Sequence, residues 1–208
     1  MFGRSGLRDQ RSAAVANNSK YEMNLPLEPY CRWSITMIGL KRKTVRVVDH
    51  DPGWAARAAE ACTAVRQAAR DLILDIQHVG STAVPGLPAK PILDLAAAVA
   101  GLEVMPQLIR ALTTAGAIYR GDGADNGGHL FVWESEPEVR TIHLHVVAAD
   151  DAQWTRYLRF RDALRQDPVL RRRYAELKRK LGERFPEDRT SYTASKDEFI
   201  RSVLDAEA

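Results

Sequence analysis

Between Ile76 and Leu95 the chain reads IQHVGSTAVPGLPAKPILDL, and this stretch concentrates residue types that handle anions. Gly80 lets a backbone amide approach a ligand closely, Ser81 and Thr82 offer hydroxyls as well as amides, and Lys90 supplies a point charge. Together they suit a polyphosphate or another anion. Asp94, a single acid inside the apolar run PILDLAAAV, could hold a divalent ion against the same oxygens. The same residues also fit a stiff connection in which Ser81 and Thr82 satisfy backbone groups and Asp94 pairs with Lys90. Further along, TIHLHVV sets His143 and His145 two residues apart. On a strand that spacing puts both imidazoles and Thr141 on one face, the rings about 7 Å apart along the backbone, with Ile142, Leu144 and Val146 on the other. Neutral imidazoles can bind a metal, shuttle a proton or orient phosphate. His78, just before the glycine, could complete the group or simply end its strand as a polar residue.

These residues need a sheet to hold them. The apolar run DLILDIQHV reads as a strand entering the loop, and Pro85, Gly86, Pro88 and Pro91 forbid helix or ladder until PILDLAAAV begins a second strand. TVRVV, Thr44 to Val48, alternates and is β-branched, which predicts a further short strand. Asp51-Pro52 reads as a cap and first-turn proline for a helix with Trp54, Ala58, Cys62, Val65 and Ala69 inward. Val104, Leu108 and Leu112 mark a second helix stopped by Gly116. AIYR, HLFVWES and VRTIHLHVV read as three strands, with a flexible turn from Gly121 to Gly128 and a hairpin at SEPE. Three helices follow, from Asp151, from Asp167-Pro168 and from about Thr190. The expected architecture is α+β, a mixed sheet flanked by helices with a C-terminal helical segment that walls the site.

A chain of 208 residues, 45% of them apolar, suffices for one domain with a core and is short for two. The net charge of +3 is unevenly placed: residues 156–201 carry 14 Lys and Arg against 8 Asp and Glu. Without aromatic interleaving or Gly-rich basic loops this favours a solvated helix face, and no nucleic-acid partner is expected. Cys31 and Cys62 have no metal spacing, and no apolar run reaches membrane-spanning length, so a reduced, cytoplasmic setting without a membrane partner is expected. The polar, aperiodic stretch before Met37 reads as a disordered appendage, or as sequence preceding a true start at Met37.

The string HVGSTAVPGLPAKPILDL closely resembles the GrpB family, and the likeness runs from about Ile38 to about Leu204. It takes in VRVVDHDPGWAARAAE, TIHLHVV, RFRDALRQDP, RRRYAELKRKL and SYTASKDEFI. The resemblance implies a nucleotidyltransferase-like fold, in which active enzymes place Gly-Ser before a strand bearing two acids one residue apart. Here Asp94 takes the first place and Ala96 the second. Two-metal chemistry needs ions roughly 3.5–4 Å apart clamped by shared carboxylates, which a solitary aspartate supports poorly.

Where such enzymes bring a third carboxylate, this chain offers His145 with His143 alongside, expected to face Asp94 and Ser81. Asp94, His143 and His145 are thus the candidate catalytic residues and the candidate ligands for magnesium, manganese or zinc. Arg161, Lys178, Tyr192 and Lys196 are polar residues among apolar neighbours, and they stand as candidates to contact a nucleotide over Gly80 to Thr82. The expected ligand is a nucleotide or other phosphorylated small molecule. The activity expected is nucleotidyl transfer to a small acceptor, or else non-catalytic anion binding. An accessory role is a third reading, since domains of this kind occur fused to dephospho-CoA kinases; this chain has no G-x-x-x-x-G-K loop of its own.

Overall fold

The computed structural model describes residues 38–123 and 128–206. The readings made for the segment before Met37 and for the tip of the Gly121–Gly128 turn lie outside them. In order, the elements are β1 (Leu40–Lys41), α1 (Gly53–Ala69), β2 (Asp75–Val79), β3 (Leu93–Val99) and α2 (Met105–Thr114), then β4 (Ile118–Asp122), β5 (His129–Glu136) and β6 (Val139–Ala148). Helices α3 (Ala152–Gln166), α4 (Pro168–Arg184) and α5 (Arg189–Ala206) complete the domain. The expected α+β architecture is present. The sheet runs β2-β3-β6-β5-β4, with β1 added to β6, and only the β3–β6 pair is parallel.

The helices start where the sequence says they should. Asp51 Oδ1 accepts from the Gly53 amide, Asp151 from Gln153, and Asp167 from both Val169 and Leu170. Each carboxylate satisfies amides that the first turn leaves without partners. The inward stripe of α1 is Trp54, Ala58, Ala61, Val65 and Ala69, so Ala61 takes the buried place expected of Cys62, which is half-buried instead. Two faces result from the period-2 pleat of β3 and β6. Leu93, Leu95, Val99, Leu144 and Val146 are fully buried on the face covered by α1 and α2. Asp94, Ala96, His143 and His145 lie on the face covered by α3 and α5.

The strand expected at Thr44–Val48 does not form. Lys43 turns the chain with φ 72°, the Val45 amide donates to Pro186, and the Val45 side chain packs with Leu181 and Tyr192. Only Val48 makes a bridge, to Ala89. The alternation is real, but its apolar residues are claimed by α4 and α5 rather than by the sheet.

Candidate functional site

The register of the parallel pair builds the site. Asp94 stands opposite His143, and Ala96 opposite His145. The nearer imidazole to the carboxylate is therefore His143, not His145 as the sequence suggested: His143 Nδ1 lies 3.1 Å from Asp94 Oδ1. Arg189 Nη2 is 3.4 Å from Nε2 of the same ring. With a cation on one side and a carboxylate on the other, the neutral tautomer that fits carries its proton on Nδ1 and donates it to Asp94. Burial brings His143 down to about 4, against the pull of Asp94, and so keeps it neutral. Burial alone would raise the Asp94 carboxyl, but the His143 hydrogen bond and the charges around it hold it well below the usual range.

Gly80 makes room for that carboxylate. Its φ of 67° with ψ −166° is a glycine conformation, and a Cβ there would stand 2.8 Å from Asp94 Oδ2. The glycine of the loop thus serves the aspartate directly. The hydroxyls beside it are engaged within the protein: Ser81 hydrogen-bonds Tyr174, and Thr82 Oγ1 lies 2.9 Å from His78 Nε2. His78 pairs in register with Leu95, which turns it to the opposite face of the sheet, away from Asp94. It does not complete the histidine group.

Around Asp94 the surroundings are cationic. Lys90 comes from the loop, Lys196 and Arg189 from α5, and both lysine ammonium groups lie over the Tyr192 ring, at 5.4 and 4.7 Å from its centroid. Burial, then the neighbouring charges of Lys196 and Arg189, bring Lys90 down to about 7. Burial also lowers Lys196 and Arg189. The His145 ring lies tilted against Tyr157 with centroids 5.4 Å apart, and its Nδ1 is buried with no hydrogen-bond partner among the described residues.

These groups are deeply set, as their shifts require, yet Lys90, Arg189, Lys196 and His145 remain partly open to solvent. The Asp94 side chain keeps 36% of its surface accessible while that of His143 keeps 5%. A part-buried group of cations that solvent still reaches therefore surrounds Asp94.

Two of the residues expected to meet a nucleotide have another task. Arg161 binds the Asp162 carboxylate at 2.7 and 2.9 Å and also reaches Gln77 and the His78 carbonyl, while Arg165 clasps the Ala83 carbonyl. Lys178, almost fully buried, donates to the Pro88 carbonyl and lies over the Tyr174 ring. These cations fix the loop that carries Lys90. Lys196 and Tyr192 do come to the site. Arg189 and Tyr157 were not singled out in the sequence; Arg189 sits in EDRT, where nothing in its spacing separates it from the many surface arginines around it.

The residues do not suit a divalent ion. Among the described residues no group of three or more His, Cys, Asp or Glu side chains could hold one. Ala96 stands where a second acid would be needed, and Lys90, Lys196 and Arg189 surround the Asp94 carboxylate.

A six-stranded mixed sheet carrying the loop and Asp94 under C-terminal helices defines an α+β domain with a part-buried polar cluster on one face of its sheet. The chain belongs to the GrpB family, whose profile, described as GrpB protein, matches residues 44–206. It is 39% identical to a UPF0157 protein of Pseudomonas aeruginosa over 77% of this chain and 66% of that one. It is 30% identical to the glutamate-rich protein GrpB of Alkalihalophilus pseudofirmus over 81% of this chain and 98% of that one. A dephospho-CoA kinase of Mycolicibacterium paratuberculosis matches at 29% identity over 79% of this chain and 46% of its own length. The crystal structure of the conserved protein GrpB from Enterococcus faecalis superposes with a TM-score of 0.70 at 31% identity, covering 77% of this chain and 96% of that one. The chain thus spans about two thirds of the Pseudomonas relative and under half of the kinase.

Proposed function

We propose that this domain binds a phosphorylated small molecule, nucleotides included, in the hollow above Asp94, with Lys90, Lys196 and Arg189 receiving the phosphate oxygens. One observation carries the reading: three deeply set, solvent-reachable cations crowd around Asp94. Buried like charges that neutralise one another's protons are costly unless an anion arrives to meet them. Part of a dephospho-CoA kinase resembles the chain, which adds a phosphorylated coenzyme precursor to the candidate ligands.

Thermal unfolding with inorganic phosphate, pyrophosphate, AMP, ATP and dephospho-CoA, each with and without Mg²⁺, tests it. A ligand at ~100 times its dissociation constant stabilises by about 2.7 kcal/mol. Stabilisation that disappears in Lys196→Met and Arg189→Met is the expected result. No shift with any phosphate compound would end the reading. Nucleotidyl transfer is the narrower form, supported by the Gly80-Ser81 step ahead of the Asp94 strand. It requires pyrophosphate release from a nucleoside triphosphate that Asp94→Ala removes.

A further inference from the structure

The cations of the hollow differ in what restrains them. Lys178 donates to the Pro88 carbonyl, and Arg189 reaches His143. Lys196 has Asp94 as its leading charged neighbour and Asp197 next door. Lys90 has cations as its leading charged neighbours, Lys196 and Arg189, with Asp94 only behind them. Among the described residues its ammonium, like that of Lys196, has no hydrogen-bond or ion-pair partner; the two lie over the Tyr192 ring at 5.4 and 4.7 Å, and of the two only Lys90 is carried by the proline-stiffened loop. Its backbone is fixed between Pro88 and Pro91, with the Ile92 amide donating to the Lys90 carbonyl. The side chain is therefore aimed and yet has nothing to hold. A lysine set among other cations against an aromatic wall has the environment that turns an ammonium into a free amine.

We infer that Lys90 is the nucleophile of this hollow, an amine that condenses with the carbonyl carbon of a phosphorylated aldehyde or ketone anchored by Lys196 and Arg189. The inference rests on the phosphate-binding reading above and assigns Lys90 a covalent task within it. The Nζ lone pair forms the N–C bond, and the carbonyl π electrons pass to oxygen. The two amine protons then leave with that oxygen as water, giving a C=N bond with no change of oxidation state. Charged and titratable groups facing Nζ come from every packed element: Asp94 on β3, Arg140 on β6, Lys178 on α4, and Arg189, Tyr192 and Lys196 on α5. Burial with the two nearest cations brings the ammonium down to about 7, so much of it is neutral near physiological pH.

The full chain is incubated with pyridoxal 5′-phosphate, reduced with borohydride and mapped by peptide mass spectrometry. The exposed Lys41, Lys43 and Lys180 are internal references. Lys90 is expected to label more than about tenfold faster than these at neutral pH, because far more of it is unprotonated. Excess inorganic phosphate should suppress that labelling. Unphosphorylated pyridoxal should show a smaller preference for Lys90, the part that the anchoring phosphate supplies, and phosphate should not suppress it. Lys90→Arg should remove the selective label. Equal labelling of surface lysines, or selective labelling of Lys196 with Lys90 untouched, overturns the inference. Stabilisation by inorganic phosphate without a selective label sinks the amine's role alone, whereas absence of both sinks the phosphate site as well.

Discussion

The two faces of one sheet have been made from the same alternating strands to opposite ends. Under α1 and α2 the pleat presents Leu93, Leu95, Leu144 and Val146, all buried. Under α3 and α5 the intervening positions present Asp94, Ala96, His143 and His145, and the helix above them contributes Arg189, Tyr192 and Lys196 rather than leucines. Each buried aliphatic side chain on the first face stabilises by about 1.5–3 kcal/mol. The second face instead spends stability on desolvated charge. The fold is secured on one side of β3, which allows the other side to be shaped for a ligand.

The largest effect that would break this division is expected at the strand's dry side. Leu95→Ala should lower stability by about 2–5 kcal/mol in chemical denaturation while leaving ligand affinity per folded molecule unchanged. An altered affinity would mean the faces are not independent. Next comes the contact between the faces' shared loop and the floor. Gly80→Ala pushes a Cβ against Asp94 and needs a backbone that alanine avoids, so about 1–3 kcal/mol should be lost. Gly86→Ala, with φ 75° but open space around it, should cost less.

The wet side should behave the other way. Lys90 is lowered to about 7 in the fold from 10.5 outside it, so the unfolded chain binds the extra proton across that interval. Stability of the free protein should therefore rise with pH between about 7 and 10, by up to about 1.4 kcal/mol per unit from this group. Lys90→Met should flatten that rise and stabilise the protein at neutral pH. A decrease of stability over the same range in the wild type, absent from the variant, would reverse the assignment. The smallest effect is expected for His145→Phe, which removes a buried nitrogen without a partner and keeps the ring against Tyr157. Stability should change by less than about 1 kcal/mol, read as a small shift in Tm.

The contrast also explains what the sequence disclosed. Periodicity reports burial, so the helix stripes, the caps at Asp151 and Asp167, and the shared face of His143 and His145 were readable. Pairing register is not in the pattern. Whether Asp94 meets His143 or His145, and whether His78 joins them, depends on how β3 slides against β6 and β2. Arg189 and Tyr157 were invisible for a related reason: their roles come from where α5 and α3 dock. Arg161 and Lys178 had the right chemistry for an anion, but the loop's own carbonyls claimed them first.

The pairing of β3 with β6 has a further consequence for how the protein is born. Asp94 emerges from the ribosome well before its imidazole partner, 49 residues downstream, and before the cations of α5. Until α5 has been synthesised, the half-made domain carries an acid with few counter-charges. Completion of the last helix adds Arg189 and Lys196 to the Lys90 already present, so the finished chain should attract an anion more strongly than any intermediate on the way.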